Sequence, residues 1–284
     1  MPLRDPSAPR PDFIGIGAHK AGTTWLAANL FAHPKIWKPF RKEVHYFDSI
    51  HMGDDLRPRA IRTLRRQLRE AIASGKPPER IKFLKSLLKP KRMSTPEWYA
   101  DVFRPAPAGK LTGEITPLYL LLPAAGIDDL RRTAPAAKLI CLIRDPADRA
   151  RSAFRMHLKR VKIDQTDAAA VEAAGSRWMS SMGARSGDYA DALPLWEARA
   201  EPGRELLYLP FGRIKIDPQG VMREVEAFLG LPPHDAYPRL TEAVNRTPSA
   251  ALPASLEAAI EAHCAPHRAW LEARFPPEFT ERLR

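Results

Sequence analysis

Eight residues close to the N-terminus carry the groups that bind a phosphate. The segment Gly17-Ala-His-Lys-Ala-Gly-Thr-Thr24 follows a short apolar stretch and precedes a helical pattern of apolar side chains. In this arrangement the first N–H groups of the helix point at one place, at the positive end of the helix dipole. Gly22 permits close approach to the backbone, and Lys20 adds a mobile cation. Thr23 and Thr24 add hydroxyl donors, so the segment predicts a phosphate-binding loop; the alternative is an ordinary turn before a helix.

The position of the lysine separates this loop from those of ATP- and GTP-binding proteins. Gly17 and Gly22 have the spacing of a nucleotide-binding P-loop, in which lysine directly follows the second glycine. Thr23 occupies that place here, and the lysine lies inside the loop at position 20. A kinase also needs an acidic residue at a strand end to hold Mg²⁺, where this chain has Arg144. A P-loop nucleotide kinase is therefore the less favoured alternative.

A second set of polar residues begins where the clearest predicted strand ends. Residues 138–143 run directly into Arg144-Asp-Pro146 and a helix that reaches about Leu158. Ligands of open α/β sheets bind at the carboxyl ends of the strands, and the planar guanidinium of Arg144 suits a phosphate. Ser152 lies two helical turns further on, where it can face the same way. The alternative is a structural helix cap formed by Asp145.

The two motifs together resemble the sulfotransferases that use 3'-phosphoadenosine 5'-phosphosulfate (PAPS). Lys20-Ala-Gly-Thr-Thr-Trp25 is similar, residue for residue, to the Lys-x-Gly-Thr-Thr-Trp signature of that family, and Arg144 to Ser152 resembles its 3'-phosphate motif. The resemblance implies in-line sulfonate transfer with PAP as product, Lys20 stabilising the leaving phosphate, and no required metal. Asn245-Arg-Thr-Pro248 resembles the family's C-terminal phosphate loop. The cofactor-binding residues so implied are Lys20, Ala21, Gly22, Thr23, Thr24, Trp25, Arg144, Ser152 and Arg246.

A general base is needed because a hydroxyl acceptor loses its proton as it attacks sulfur. Residues 39–48, Pro-Phe-Arg-Lys-Glu-Val-His-Tyr-Phe-Asp, resemble the Lys-Glu-x-His-Phe-Phe segment of the heparan sulfate and bacterial branch. That resemblance implies Glu43 as the base. Cytosolic small-molecule sulfotransferases use a histidine, which makes His45 the second candidate. The structural alternatives are an ion pair of Glu43 with Lys42 or Arg41 and a packed His45.

The chain departs from that branch at two further segments. Glu114-Ile-Thr-Pro-Leu-Tyr119 resembles the Lys-Ser-Pro-x-Tyr segment, but Ile115 stands where a lysine often contributes to the active site. A second cation then comes from elsewhere or is not needed, and a catalytically inactive nucleotide-binding relative remains an alternative. Phe211 begins a segment that replaces the family's Tyr-Glu-Asp-Leu and is a candidate neighbour of the adenine.

The pattern of apolar segments predicts the frame that holds these residues. Strands are predicted at 13–17, 110–116, 138–143 and 205–209, and they alternate with helices. Such alternation favours an α/β, P-loop-like fold of three layers, with a central parallel sheet flanked by helices. We expect one domain over residues 1–284, with a loose arm at 1–11 and a helical basic insertion or lid at 52–104.

The charge of the chain is concentrated in that insertion. The net charge is +12, and residues 56–93 hold thirteen Lys or Arg against two acids. A local patch of this kind, without a recognition helix or aromatic-interleaved basic strand, argues against nucleic-acid binding. It fits attraction of an anionic acceptor, peripheral contact with a membrane surface, or a solvated helix face. The basic side chains considered are Arg57, Arg62, Arg65, Arg66, Arg69, Lys82, Lys85 and Lys89.

Composition sets the remaining expectations. No apolar run approaches the ~20 residues that span a bilayer, and the first residues lack an apolar signal core, so we expect a cytoplasmic protein. Cys141 and Cys264 are expected to be buried free thiols. The acceptor class stays open between a saccharide and another hydroxyl compound, or an amine, and the oligomeric state is not indicated.

Overall fold

A five-stranded parallel sheet forms the centre of the computed structural model, which describes residues 9–53, 57–89, 92–242 and 251–284. Most strand residues are buried, as expected for a parallel sheet covered on both faces. The strands lie in the order β2-β3-β1-β4-β5. They are β1 (Phe13–Gly17), β2 (Ile36–Trp37), β3 (Leu111–Ile115), β4 (Lys138–Ile143) and β5 (Leu206–Pro210).

Helices connect the strands and cover the sheet. Several begin at polar caps, as where the side chains of Thr95, Asp145 and Asp217 accept N–H groups of the first helical turn. A 3₁₀ helix spans Pro117–Leu121. The α-helices are α1 (Thr23–Leu30), α2 (Phe47–His51), α3 (Arg57–Ala73), α4 (Pro78–Leu87), α5 (Pro96–Phe103), α6 (Ala124–Thr133), α7 (Pro146–Val161), α8 (Ala168–Met179), α9 (Met182–Arg185), α10 (Tyr189–Glu197), α11 (Arg213–Ile216), α12 (Pro218–Leu229), α13 (Ala254–Arg274) and α14 (Pro277–Thr280).

The strand order brings the two sequence motifs to one edge of the sheet. β1 lies between β3 and β4, with Phe13 paired to Gly113 on one side and to Lys138 on the other. The loops that follow β1 and β4 therefore leave the sheet side by side, and Ala18 N–H donates to the carbonyl of Leu142 at 2.8 Å. This is the switch point at which ligands of open α/β sheets bind.

The predicted α/β architecture is confirmed, and the structure adds one strand to it. β2 is only two residues long and pairs with β3 at the edge of the sheet. The sequence predicts an extended or irregular segment over residues 35–48, because two residues are too few to show a period. The segment also includes the first residues of α2, which starts at Phe47.

The basic insertion packs its apolar side against the main core. Leu64, Leu84 and Leu87 belong to the core cluster around the sheet. The spacing of Ile61, Leu64, Leu68 and Ile72 predicts an apolar stripe on α3, but Ile72 is 54% exposed, while Ala71 is buried. A spacing of seven residues, about two helical turns, from the buried Leu64 keeps Ala71 on the buried face, and Ile72 lies ~100° further around the helix.

No helix within the described ranges is both long and apolar enough to cross a bilayer. Cys141 and Cys264 are free and buried, as predicted. Residues 1–8 of the expected arm lie outside the described residues.

Candidate active site

The phosphate loop, residues 17–24, has a backbone shape that few side chains tolerate. Lys20 and Gly22 both lie in the left-handed region, with φ of 69° and 90°. A β-carbon on Gly22 would come within 2.7 Å of Ile214 and 3.2 Å of Phe211, so the position requires glycine. Gly22 is also the cap of α1 and brings no side chain to its first N–H groups. Those groups are therefore left for an anion.

Arg144 joins the phosphate loop to the end of β4. Its Nη1 donates to the carbonyl oxygen of Lys20 at 3.2 Å, and its guanidinium lies over the ring of Phe211 at 4.5 Å. Its backbone N–H donates to the hydroxyl of Tyr189 at 3.2 Å. Among the described residues, its buried Nε has no hydrogen-bond partner. Such an orphaned donor needs an acceptor, and a phosphate oxygen fits it.

The first cavity lies between these two motifs. It has a volume of about 670 Å³ and is lined by Thr23, Thr24, Trp25 and Ser152 in addition to Lys20 and Arg144. Burial and the nearby charge of Arg144 lower the pKa of Lys20. The cations of its lining are Lys20, Lys42, Arg144, Arg151, Arg155 and Lys215, against the acids Glu43, Asp148 and Glu242. This excess of positive charge suits a ligand with several phosphate groups.

Three titratable side chains form a hydrogen-bonded chain at one end of the first cavity. His45 Nδ1 lies 2.6 Å from Asp48 Oδ2, and its Nε2 lies 3.3 Å from Glu43 Oε2. Burial opposes a charge on His45, but the hydrogen bonds to Asp48 and Glu43 outweigh it and raise its pKa to about 9. Burial likewise opposes a charge on Glu43, but the hydrogen bond from His45 and the charge of Lys42 lower its pKa to about 2. At neutral pH Glu43 is therefore a carboxylate and His45 an imidazolium.

The loop that carries Glu43, residues 38–46, is held by side chains of the segment Glu114 to Tyr119. Val44 N–H donates to Glu114 Oε2 at 2.9 Å and to Thr116 Oγ1 at 3.0 Å. Tyr46 N–H donates to the hydroxyl of Tyr119 at 3.0 Å, and that hydroxyl donates to Glu114 Oε1. The motif at 114–119 thus fixes the backbone on both sides of His45, whose φ of 57° is left-handed. Such strained backbone persists where its surroundings over-determine it.

Ile115 lies in the interior of the sheet. It is fully buried and packs over Gly15, where an added β-carbon would come within 2.8 Å of its side chain. It is not among the residues that line the first cavity.

A second cavity adjoins the first. It has a volume of about 740 Å³, and its walls include Trp178, Arg160 and Arg177. The two cavities share His19, Glu43, Pro117 and Met156. Glu43 therefore stands at their junction. None of the described residues between 52 and 104 lines either cavity, so the role of the insertion as a lid stays a prediction.

The structure places most, but not all, of the predicted site residues on the first cavity. Ala21 is fully buried in the core and does not line it. Trp25 is largely buried, and its Nε1 donates to the carbonyl of Leu240 at 2.9 Å. Arg246 lies outside the described residues. His45 faces the second cavity rather than the first.

His19 and Asp48 were missed by sequence reasoning, and Lys42 was considered only as an ion-pair partner. Burial, together with the charges of Arg149 and Lys20, lowers the pKa of His19 to about 4, so it is neutral. Its place inside the phosphate loop was the available signal. Asp48 lies three residues after His45, a spacing that brings the two side chains together once α2 starts at Phe47.

A His/Asp group elsewhere has a geometry that could hold a metal ion. It consists of Asp188, His263 and His267, whose candidate ligand atoms lie within 4.8 Å of one another. His263 Nε2 is 2.9 Å from Asp188 Oδ1, a distance that a hydrogen bond explains. The group lines neither cavity, and the prediction that no metal is required is left untested by it.

Sequence comparison finds the same family over most of the chain. The profile described as "Sulfotransferase family" matches residues 11–235. The membrane-associated sulfotransferase kil1 of Dictyostelium discoideum is 30% identical over 159 residues, 55% of this chain and 25% of that protein. Heparan sulfate glucosamine 3-O-sulfotransferase 3A1 of Mus musculus is 28% identical over 233 residues, 81% of this chain and 48% of that protein. The chain thus spans about half the length, or less, of these curated relatives.

Comparison of structures finds the same fold. A sulfotransferase from Alicyclobacillus acidocaldarius superposes with a TM-score of 0.60 at 23% identity, covering 96% of this chain and 99% of that chain. The sulfotransferase domain of the Synechococcus PCC 7002 olefin synthase gives 0.52 at 20% identity, covering 92% and 97%. At these identities the likeness concerns the fold.

Proposed function

The chain belongs to the sulfotransferase family, and from this we propose that it transfers a sulfonate group from PAPS to a hydroxyl or amine acceptor by in-line displacement. One observation carries the proposal. Arg144, at the end of β4, donates to the backbone of Lys20 inside the phosphate loop, so the two motifs of the signature meet on one cavity.

The first cavity fits the donor. The N–H groups at the start of α1 and the hydroxyls of Thr23 and Thr24 are placed for the 5'-phosphate end. Arg144, with its orphaned Nε, and Ser152 are placed for the 3'-phosphate. Bound PAPS supplies an activated sulfonyl group with a phosphate as leaving group. Lys20 and the other lining cations offset the charge that develops on that phosphate, and we propose that no metal is needed.

Glu43 is the better of the two candidate bases. His45 is an imidazolium at neutral pH because its pKa is about 9, so it holds no free lone pair to accept a proton. Glu43 is ionised, and it stands at the junction of the two cavities. We infer that Glu43 takes the proton of the acceptor, while His45 and Asp48 hold its carboxylate in place.

The second cavity is the proposed acceptor site. Heparan sulfate glucosamine 3-O-sulfotransferases, to which the chain is similar, act by name on a hydroxyl of a saccharide. A saccharide or another hydroxyl compound is accordingly the acceptor we propose. Trp178 on the wall offers a ring face against which a sugar or an apolar group can pack.

Calorimetry tests the donor site. We expect the protein to bind PAP without metal and to show no preference for ATP with Mg²⁺. Arg144→Ala should weaken PAP binding by about tenfold or more, because a charged donor to phosphate is lost. Arg69→Ala, an exposed arginine on α3, is the matched control and should leave binding unchanged. A preference for ATP with Mg²⁺ would contradict the proposal and favour a nucleotide kinase.

Turnover tests the base. Glu43→Gln should lower kcat by on the order of a hundredfold, with PAP affinity changed less than about threefold, since a general base contributes to the chemical step. His45→Ala should lower kcat less. Near-normal turnover in both variants would show that neither residue is the base. PAP binding without any transfer to a panel of saccharides and alcohols would favour the catalytically inactive alternative.

A further inference from the structure

The ammonium group of Lys42 lies between the phosphate loop and the proposed base. Its Nζ is 3.1 Å from Glu43 Oε1, 3.4 Å from Thr23 Oγ1 and 3.5 Å from Thr24 Oγ1. The side chain is 21% exposed and lines the first cavity. One cation thus contacts the start of α1 and the carboxylate at the junction of the cavities.

The surroundings of Lys42 fix where this charge points. The carbonyl oxygen of Lys42 accepts the N–H of Ile115 at 2.9 Å, and the next residues are anchored through Val44 to Glu114. The backbone beneath the side chain is therefore tied to β3. An exposed ion pair between adjacent residues does not require such a position, and it is worth little in water.

The partners of Lys42 are the ones that a bound anion would replace. An ammonium group has three donors, and here they point to one carboxylate and two hydroxyls. Hydroxyls at the start of a helix are themselves donors to a phosphate or sulfonate. When they turn to an anion, Lys42 keeps its bond to Glu43 and has donors left for that anion. Lys20 reaches the same cavity from the phosphate loop, so two lysines approach it from different elements.

We propose that Lys42 binds the sulfonate group during its transfer and is the second cation of the active site, opposite Lys20. This inference rests on the proposed function. In the step, the bond between sulfur and the bridging phosphate oxygen breaks and a bond between sulfur and the acceptor oxygen forms. The acceptor proton passes to Glu43, and the electron pair leaves with PAP. Lys42 remains protonated and neutralises the sulfonyl oxygens while Lys20 neutralises the leaving oxygen.

Binding of PAP and PAPS in the absence of acceptor distinguishes a sulfonate contact from a phosphate contact. For Lys42→Met we expect PAPS affinity to fall about tenfold and PAP affinity by less than about threefold, because only PAPS carries the sulfonate. Lys42→Arg should restore much of the PAPS affinity. Lys38→Met, which removes an exposed lysine four residues away, is the control and should change neither affinity.

Turnover gives a second readout. We expect kcat of Lys42→Met to fall by on the order of a hundredfold, as when one transition-state donor is removed. The acid limb of the pH–rate profile of Lys42→Met should move to higher pH, because the charge of Lys42 helps to lower the pKa of Glu43. An unchanged thermal midpoint shows that the variant is folded.

The outcomes that overturn the inference are separate from failure of the proposed function. If Lys42→Met weakens the binding of PAP and of PAPS equally, the residue contacts phosphate only. If it weakens the binding of neither, Lys42 forms only a passive ion pair. Both results reject the sulfonate role while the wild-type protein still binds PAP. A wild-type protein that binds neither nucleotide rejects the function itself.

Discussion

His45 holds a positive charge beside Glu43 and Asp48, and the stability that this charge contributes depends on pH. Its left-handed backbone and its bonds to Glu43 and Asp48 place the imidazolium where it links the 38–46 loop to α2. A group whose pKa is raised on folding stabilises the folded state below its unfolded pKa. That stabilisation is lost as the pH rises through the folded value. For His45 the window runs from 6.5 to about 9.

We therefore predict that the protein loses stability between pH 6.5 and pH 9.5 through this residue. The loss should be on the order of 2 kcal/mol, since a shift of one pKa unit corresponds to ~1.4 kcal/mol and the titration of His45 is coupled to that of Glu43. Urea unfolding of the wild type and of His45→Asn at both pH values measures it. Asparagine tolerates the left-handed φ, so the variant removes the charge and keeps the backbone. An equal loss in both proteins would contradict the prediction.

At the scale of elements, β3 and the 3₁₀ helix after it act as a clamp for the loop that carries the proposed base. Glu114, Thr116 and Tyr119 accept the N–H groups of Val44 and Tyr46. These hydrogen bonds explain why a strand-and-turn segment that is far in sequence from the phosphate loop belongs to the site. Its role is to hold Glu43 at the junction of the cavities, because a buried N–H without a partner is costly.

Tyr119→Phe tests the clamp. The variant leaves the Tyr46 N–H without its acceptor, so we expect a loss of about 2 kcal/mol in unfolding free energy. It should also lower kcat about tenfold while PAP affinity stays within about twofold, because misplacement of a catalytic group costs rate rather than donor binding. Tyr208→Phe is the control: its hydroxyl donates to Glu197 at 3.1 Å, away from both cavities. Equal effects of both variants on kcat would argue against a clamp.

Sequence reasoning was most successful where function follows from element ends. Lys20 and Arg144 could be paired because each follows a buried strand, and parallel strands end at one edge. The contact of Lys42 with Thr23 and Thr24 could not be predicted from the sequence, because it depends on the path of the 38–46 loop. That path is set by hydrogen bonds to Glu114, which no periodicity of side chains encodes. β2 was not predicted for a similar reason, since its pairing rather than its composition makes it a strand.

At the scale of the whole molecule, the described residues of the basic insertion place their charge outside both cavities. The apolar side of the insertion packs against the core, whereas most of its described basic side chains are exposed, among them Arg62, Arg65, Arg69, Lys82 and Lys85. Gln67 on α3 donates to the carbonyl of Phe40, within the 38–46 loop, so the insertion is attached close to the site. Charge in this position acts on a ligand at a distance, through the field in solvent.

We predict that the patch affects capture of large anions and not the chemical step. Charge reversal should raise KM for a heparan-type polyanion by about fivefold at low salt, and the effect should vanish near 0.5 M salt, where the field is screened. kcat and KM for a small neutral alkyl glucoside should not change. The charge-reversal variant replaces Arg62, Arg65 and Arg69 with glutamate. The control reverses exposed cations outside the insertion, namely Lys110, Arg132 and Arg204. A KM that changes with neither ionic strength nor charge reversal would show that the patch does not contribute to capture of the acceptor.

The shared wall of the two cavities has a consequence for the order of events. Among the described residues, His19, Glu43, Pro117 and Met156 alone line both, so each cavity can fill without displacing the occupant of the other. We therefore expect sulfonate to pass directly between two resident molecules, without accumulation of a sulfated enzyme. We expect initial-rate lines that intersect when one substrate is varied at fixed levels of the other, with PAP competing against PAPS alone. Parallel lines would instead indicate a ping-pong cycle. Under the proposed function, the junction at Glu43 makes simultaneous occupancy of both cavities the expected condition of turnover.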